Sequence, residues 1–131
     1  MTIFEQSAPI SAPIGEVYAF LENCNNHQAL QPDSISDWTS TDDEASFTIK
    51  NMATLRLRIT ERIPNKAVLF VPVGQTPFAL SLRWTLSQSD TGTLAVLTLQ
   101  AELNMMMQML AKKPLQELVN YQVSKLKELL P

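Results

Sequence analysis

Between Ile35 and Leu103 apolar residues recur at every second position over several stretches, and this period of two limits the possible folds more than any other feature of the chain. Leu55, Leu57 and Ile59 alternate with Arg56, Arg58, Thr60 and Arg62. Phe78, Leu80, Leu82, Trp84 and Leu86 alternate with Ala79, Ser81, Arg83, Thr85 and Ser87, and Ala95, Leu97, Leu99, Ala101 and Leu103 with Thr98, Gln100 and Glu102. Successive strand side chains point to opposite faces, so each stretch predicts a strand with one buried and one solvated side. Trp38, Phe47 and Ile49 flank the acidic turn Asp42-Asp43-Glu44, and Ala67 to Val73 adds a further strand. The turns, at Ile63-Pro64-Asn65-Lys66, Gly74-Gln75-Thr76-Pro77 and Ser89-Asp90-Thr91-Gly92, are too short for crossovers, so neighbouring strands pair antiparallel.

A sheet with one apolar face needs a cover, and the end of the chain supplies it. Leu115, Leu118, Val119, Gln122, Leu126 and Leu130 recur at helical spacing, with Lys112, Lys113, Glu117, Lys125, Lys127 and Glu128 mostly off that stripe. Asn104 is placed to cap the helix, and Met105, Met106, Met107 and Met109 crowd its first turns. Pro114 is expected to kink or break it, making the methionine segment a separate short turn. At the other end, Ile3 to Ser7 reads as a short strand and Pro9 and Pro13 bracket a turn. Ser7 or Ser11 is placed to cap a helix bearing Val17, Tyr18, Phe20 and Leu21, and a second short helix spans about Asn26 to Leu30. No repeat or linker divides residues 1–131. The expectation is one α+β domain: a curved antiparallel sheet of about seven strands wrapped around a long C-terminal helix, with two short helices after the first strand.

The opening Ile3-Phe4-Glu5, the run Ala12-Pro13-Ile14 followed by Val17-Tyr18 and Phe20-Leu21, and then Leu30, Pro32 and Trp38 resemble the START-related, Bet v 1-like superfamily, which includes polyketide cyclase-like proteins. The resemblance spans nearly the whole chain. It implies the helix-grip fold and a set of activities that includes lipid and hormone carriers, cyclases and aromatases, quinone-binding proteins and co-chaperone domains. It carries no shared catalytic residue.

Composition narrows the partners. With a net charge of −3 and no cluster of Lys and Arg, the chain lacks the footprint of a nucleic-acid binder. One cysteine, Cys24, excludes an internal disulfide, and its ordinary role is that of a small buried hydrophobe. The first residues do not read as a signal peptide and no apolar run is long enough to span a bilayer, so a cytoplasmic location is expected.

Few residues suggest chemistry. His27, the only histidine, follows Asn25 and Asn26 and reads as exposed, and with one cysteine it offers no zinc set; no metal site and no cofactor is expected. Asp42, Asp43 and Glu44 read as a solvated turn. Arg56, Arg58, Arg62 and Arg83 read as an outward cationic face with partners such as Glu102, or as a surface for an anionic partner. Glu61 shares the parity of Leu55, Leu57 and Ile59, and Gln122 lies on the apolar helical stripe, so each should be paired, at a rim, or facing a ligand.

The leading expectation is a pocket between sheet and helix for a hydrophobic small molecule such as a lipid, quinone or polyketide. Leu57, Ile59, Leu82, Trp84, Leu97, Met106, Leu118 and Gln122 would line it. One alternative is a cyclase or aromatase using the same pocket, with Glu61 as the nearest acid or base. Another is an interaction module without a ligand, acting through Met105 to Met109 or the arginine face. A protein partner or a homodimer fits the last of these.

Overall fold

In a computed structural model, residues 1–50, 52–76 and 78–130 are described; Pro77, assigned above to a turn, lies outside them. The elements in chain order are β1 (Thr2–Ile10), helix α1 (Ile14–Leu21), the 3-10 helix η1 (Cys24–Leu30), strands β2 (Ile35–Ser40), β3 (Glu44–Ile49), β4 (Ala53–Ile63), β5 (Ala67–Pro72), β6 (Leu80–Ser89) and β7 (Gly92–Ala101), and helix α2 (Met105–Leu129). The strands form one antiparallel sheet in the order β1-β7-β6-β5-β4-β3-β2. Five hairpin steps build β2 to β7, and β1 closes the far side against β7. The sheet curls into a half-barrel around α2, the helix-grip architecture that the resemblance implies.

The concave face carries the core. Phe4, Ile10, Phe47, Leu55, Leu57, Ile59, Trp84, Leu86, Leu97 and Leu99 are buried, and so are Leu115, Leu118, Val119, Val123 and Leu126 from α2. Arg56, Arg58 and Arg83 are exposed on the convex face. The register pairs Leu82 with Leu99 and Trp84 with Leu97, so apolar residues meet across strands on the inner side.

Three local readings change. β1 runs to Ile10 rather than ending at Ser7, because Pro9 sits on an edge strand where its missing N–H breaks no ladder bond. Consequently neither Ser7 nor Ser11 caps α1, whose N-cap is Pro13, without a side-chain hydrogen bond. Pro114 neither breaks α2 nor separates the methionine segment: the helix is continuous through it, with Asn104 capping its start by accepting the Met107 N–H at 2.8 Å. The bond that Pro114 cannot make would end on the carbonyl of Leu110, an exposed residue, where water can substitute.

The β6–β7 hairpin tip locks the junction between β1 and α1. Gly92 has φ of 150°, and a Cβ there would collide with the backbone of Ile10 and Ser11. Beside it the buried Thr93 hydroxyl donates to the Ala12 carbonyl at 2.9 Å. The closed end of the molecule is therefore fixed by backbone contact as well as by Val17 and Leu21 of α1, both fully buried.

Candidate functional site

The concave face is filled unevenly. Beneath η1 and the middle of α2 a cavity of about 40 Å³ remains. Its floor is the inner face of β3, β4 and β6, its roof Leu115, Leu118 and Gln122 of α2, and its near end Cys24 and His27 of η1 with the C-cap residue Gln31, with Trp38 of β2 at the side. Of the residues expected to line a pocket, Leu57, Leu82, Trp84, Leu118 and Gln122 border the cavity. Ile59 and Leu97 are buried but do not border it. They lie nearer the end that α1 fills. Met106 is 71% exposed and belongs to neither.

Two bulges decide which polar groups reach this space. On β4 the register steps two residues, from Ile59 to Glu61, against one on β5, from Phe70 to Leu69. The extra residue reverses the alternation. Glu61 is therefore exposed rather than on the inward parity, and Arg62 leaves the outward face. Arg62 Nε donates to the Glu22 carbonyl at 3.0 Å, and its Nη2 to the Asp42 carbonyl at 3.1 Å and to Asp43 Oδ1 at 2.8 Å. Arg56 and Arg58 stay outward, and both donate to Glu44, at 2.7 Å and 2.6 Å, rather than to Glu102. These bonds hold the Glu44 carboxyl below its ordinary pKa. The acidic turn thus ties β4 and η1 to the β2–β3 hairpin.

On β2 the register steps from Ser36 to Thr39, three residues, while β3 steps two, from Thr48 to Ser46. Asp37 takes up the difference with a left-handed φ of 57°, which an aspartate tolerates better than most residues. Trp38 is thereby turned inward onto Phe47, ring centroids 5.3 Å apart and nearly parallel at 14°. Its indole Nε1 is buried and has no hydrogen-bond partner, the sole side-chain nitrogen or oxygen in that condition among the described residues.

His27 is buried, not exposed. Its Nε2 lies 2.8 Å from the Leu21 carbonyl, an acceptor, so Nε2 carries the proton and Nδ1 is left as an acceptor. The ring meets Phe70 edge to face at 5.0 Å. Burial pushes its pKa down to about 4, opposed in part by the bond to Leu21, so the ring is neutral at pH 7. Burial likewise pushes the Cys24 thiol up to about 12, with Arg62 acting in the opposite sense, so Cys24 is no nucleophile here. Gln122 Nε2 donates to Gln31 Oε1 at 3.1 Å, and Gln31 Nε2 to the His27 carbonyl at 2.8 Å. These two amides link the roof to η1.

The cavity thus has an apolar floor, and the side chains at its border include an indole with an orphan donor, a neutral imidazole and a pair of hydrogen-bonded amides. Glu61 is not on it. Among the described residues no group of three or more His, Cys, Asp or Glu is gathered to hold a metal ion, and no helix is long and apolar enough to cross a membrane. Sequence reasoning missed His27, Gln31, Cys24 and Trp38. Trp38 was visible as an aromatic in a strand, but its inward turn depends on the bulge.

No protein-family model matches the chain, and no curated protein matches it in sequence. Solved structures match its shape. The KanY protein, solved by NMR in solution, superposes with a TM-score of 0.83 at 12% identity, over 98% of this chain and 97% of that one. The protein XoxI from Bacillus cereus gives 0.78 at 10% identity, over 99% and 96%. The Aha1 dimer from Colwellia psychrerythraea gives 0.73 at 18% identity, over 99% and 96%. At such identities the likeness establishes the fold and nothing finer.

Proposed function

We propose that the chain is a START-related, Bet v 1-like binding protein whose cleft between sheet, η1 and α2 takes a hydrophobic small molecule bearing a hydrogen-bond acceptor. The observation that carries this reading is the buried, unpartnered Trp38 Nε1–H in a side chain bordering a cavity with an apolar floor. An orphan donor of this kind costs on the order of 1–3 kcal/mol, and a ligand carbonyl would recover it. A bulge with a left-handed Asp37 is spent on turning that indole inward, which core filling alone does not require.

The cavity of about 40 Å³ has space for one or two waters, far below the roughly 300–1,000 Å³ of a ligand pocket. Binding therefore needs the roof to lift. The Gln122–Gln31 hydrogen bond joins α2 to the end of η1, and its opening would let the two separate.

The test uses 2-methyl-1,4-naphthoquinone beside 2-methylnaphthalene, two probes of similar shape of which only the first has carbonyls. Trp38→Phe removes the donor and leaves Trp84 as the reporting indole. The quinone should bind the native chain about tenfold tighter than the variant, an effect of one hydrogen bond, while the hydrocarbon should bind both alike. If neither probe shifts the methyl resonances of Leu57, Leu82 and Leu118 at millimolar concentration, the cleft is a packed core and the reading is lost.

A second reading, an interaction module without a small ligand, is favoured by the exposure of Met105, Met106, Met109 and Leu110, each 70% or more. An enzyme of the cyclase kind is not favoured, since its expected acid or base, Glu61, lies outside the cleft.

A further inference from the structure

The β1 edge of the sheet carries a surface separate from the cleft. Glu102, just after β7, donates its N–H to the Ala79 carbonyl on the β6 side. By antiparallel alternation the odd-numbered residues of β7 then face β1, and their partners Thr2, Phe4, Gln6, Ala8 and Ile10 carry the β1–β7 ladder. The backbone groups of Ile3, Glu5, Ser7 and Pro9 point away from the sheet. Half of this edge is blocked against pairing: the Ser7 N–H is taken by Gln6 Oε1 at 2.9 Å, and Pro9 has no N–H. The other half, at Ile3 and Glu5, is left open.

Alongside β1 runs a groove of about 530 Å³ against residues 108–117 of α2, bordered by Ile3 and Met109, by Lys112 and Lys113, and by Glu117; a second acid, Glu5, lies on the edge itself, where its carboxylate accepts from the Thr98 hydroxyl at 2.9 Å. Ile3 is 57% exposed and Met109 83%. A chain of net charge −3 thus places adjacent lysines and uncovered apolar side chains beside the unblocked part of its edge. Unpaired N–H and C=O groups at strand spacing ask for an extended backbone, Ile3 and Met109 for apolar side chains, and the lysines for carboxylates. A lipid surface would leave the backbone groups unsatisfied. A second copy, paired across a two-fold axis, would bring the lysine pairs of both copies toward one another.

We infer that the Ile3–Glu5 edge and the Lys112–Lys113 groove bind an extended acidic and apolar peptide segment of a partner protein as an added strand. The probe is a library of acetylated, amidated octapeptides in which Asp or Glu alternates with Val, Ile or Leu, with a matched Lys-containing library as control. The amide protons of Ile3 and Glu5 should gain at least tenfold protection from exchange with the acidic peptides and none with the basic ones. Lys112→Glu with Lys113→Glu should weaken binding at least tenfold while leaving thermal unfolding nearly unchanged. Glu5→Pro, which repeats the device at Pro9, should abolish it where Glu5→Ala does not. Should Glu5→Pro unfold the chain, the lysine pair still decides the matter. Equal binding of the basic library, or no binder that protects Ile3 and Glu5, overturns the inference. So does protection of both amides in a dimer seen by sedimentation without peptide, or by vesicles of phosphatidylglycerol and phosphatidylcholine with no peptide response.

Discussion

The two halves of α2 are comparably apolar and oppositely placed. From Leu115 onward, Leu115, Leu118, Val119, Val123 and Leu126 are buried, while in the first turns Met105, Met106, Met109 and Leu110 face solvent. At 100° per residue the first set spans an arc roughly opposite the stripe that begins at Ala111 and continues through Leu115 and Leu118. One continuous helix thus carries two apolar stripes about half a turn apart, and only one meets the sheet. What decides burial is the phase of a residue relative to the concave face rather than its hydrophobicity, which is why Met106 is no part of the cleft and Leu118 is.

Substitutions should separate the halves sharply. Leu126→Ala removes a fully buried side chain and should destabilise by roughly 2–5 kcal/mol, since the surrounding core relaxes only in part. Leu126 is a cleaner choice than Leu118, which already borders the cavity. Urea unfolding reads the loss as a lower midpoint at unchanged slope. A loss below about 1 kcal/mol would place the second half on the sheet far more loosely than its burial indicates.

The next effect comes from η1, which packs beneath the covered half. His27 has a folded pKa of about 4 against an ordinary value of 6.5, so the unfolded chain binds more protons between those two values. Stability therefore rises with pH across this window: it is complete above pH 6.5 and falls as pH drops toward 4. The amplitude is on the order of 3 kcal/mol. Unfolding measured from pH 7.5 to 4.5 should show this slope, and His27→Gln, which keeps an N–H for Leu21, should flatten it. An unchanged slope in that variant would assign the acid sensitivity to other groups.

How far the sequence reveals this molecule follows from where regular spacing holds. Alternation through β4, β6 and β7 and the stripe from Leu115 to Leu126 gave the sheet, its inner face and its cover before any coordinates. The cleft was half legible, because Leu57, Leu82, Trp84, Leu118 and Gln122 obey those periods. Its polar groups do not. A single extra residue at Ile59–Glu61 or at Asp37 reverses a strand's parity and leaves no mark in composition, so Glu61, Arg62 and Trp38 could not be placed by counting. His27 misled through its neighbours: Asn25 bonds Asp42 and Asn26 bonds the Phe20 carbonyl, so the polar flanks are tied into the fold around a buried ring. Pro114 misled because the bond it forgoes falls at Leu110, on the exposed side of α2, and the helix runs on through it.

The smallest effect falls on the uncovered half of α2 and tests the comparison most finely. Met106 is 71% exposed and has no part in the groove beside β1, so Met106→Ala removes contact with water rather than with the core. Surface substitutions of this kind lie within about 0.5 kcal/mol of neutral. Alanine is also the better helix former, which adds a few tenths in the stabilising direction. The expected outcome is an unfolding midpoint equal to or slightly above that of the native chain, with binding of the acidic peptides unaltered. A loss of more than about 1 kcal/mol, well outside that surface range, would mean that Met106 is covered in solution. A loss that appeared only at high protein concentration would locate the cover on a second copy, and the outward stripe of α2 would then be an interface in its own right.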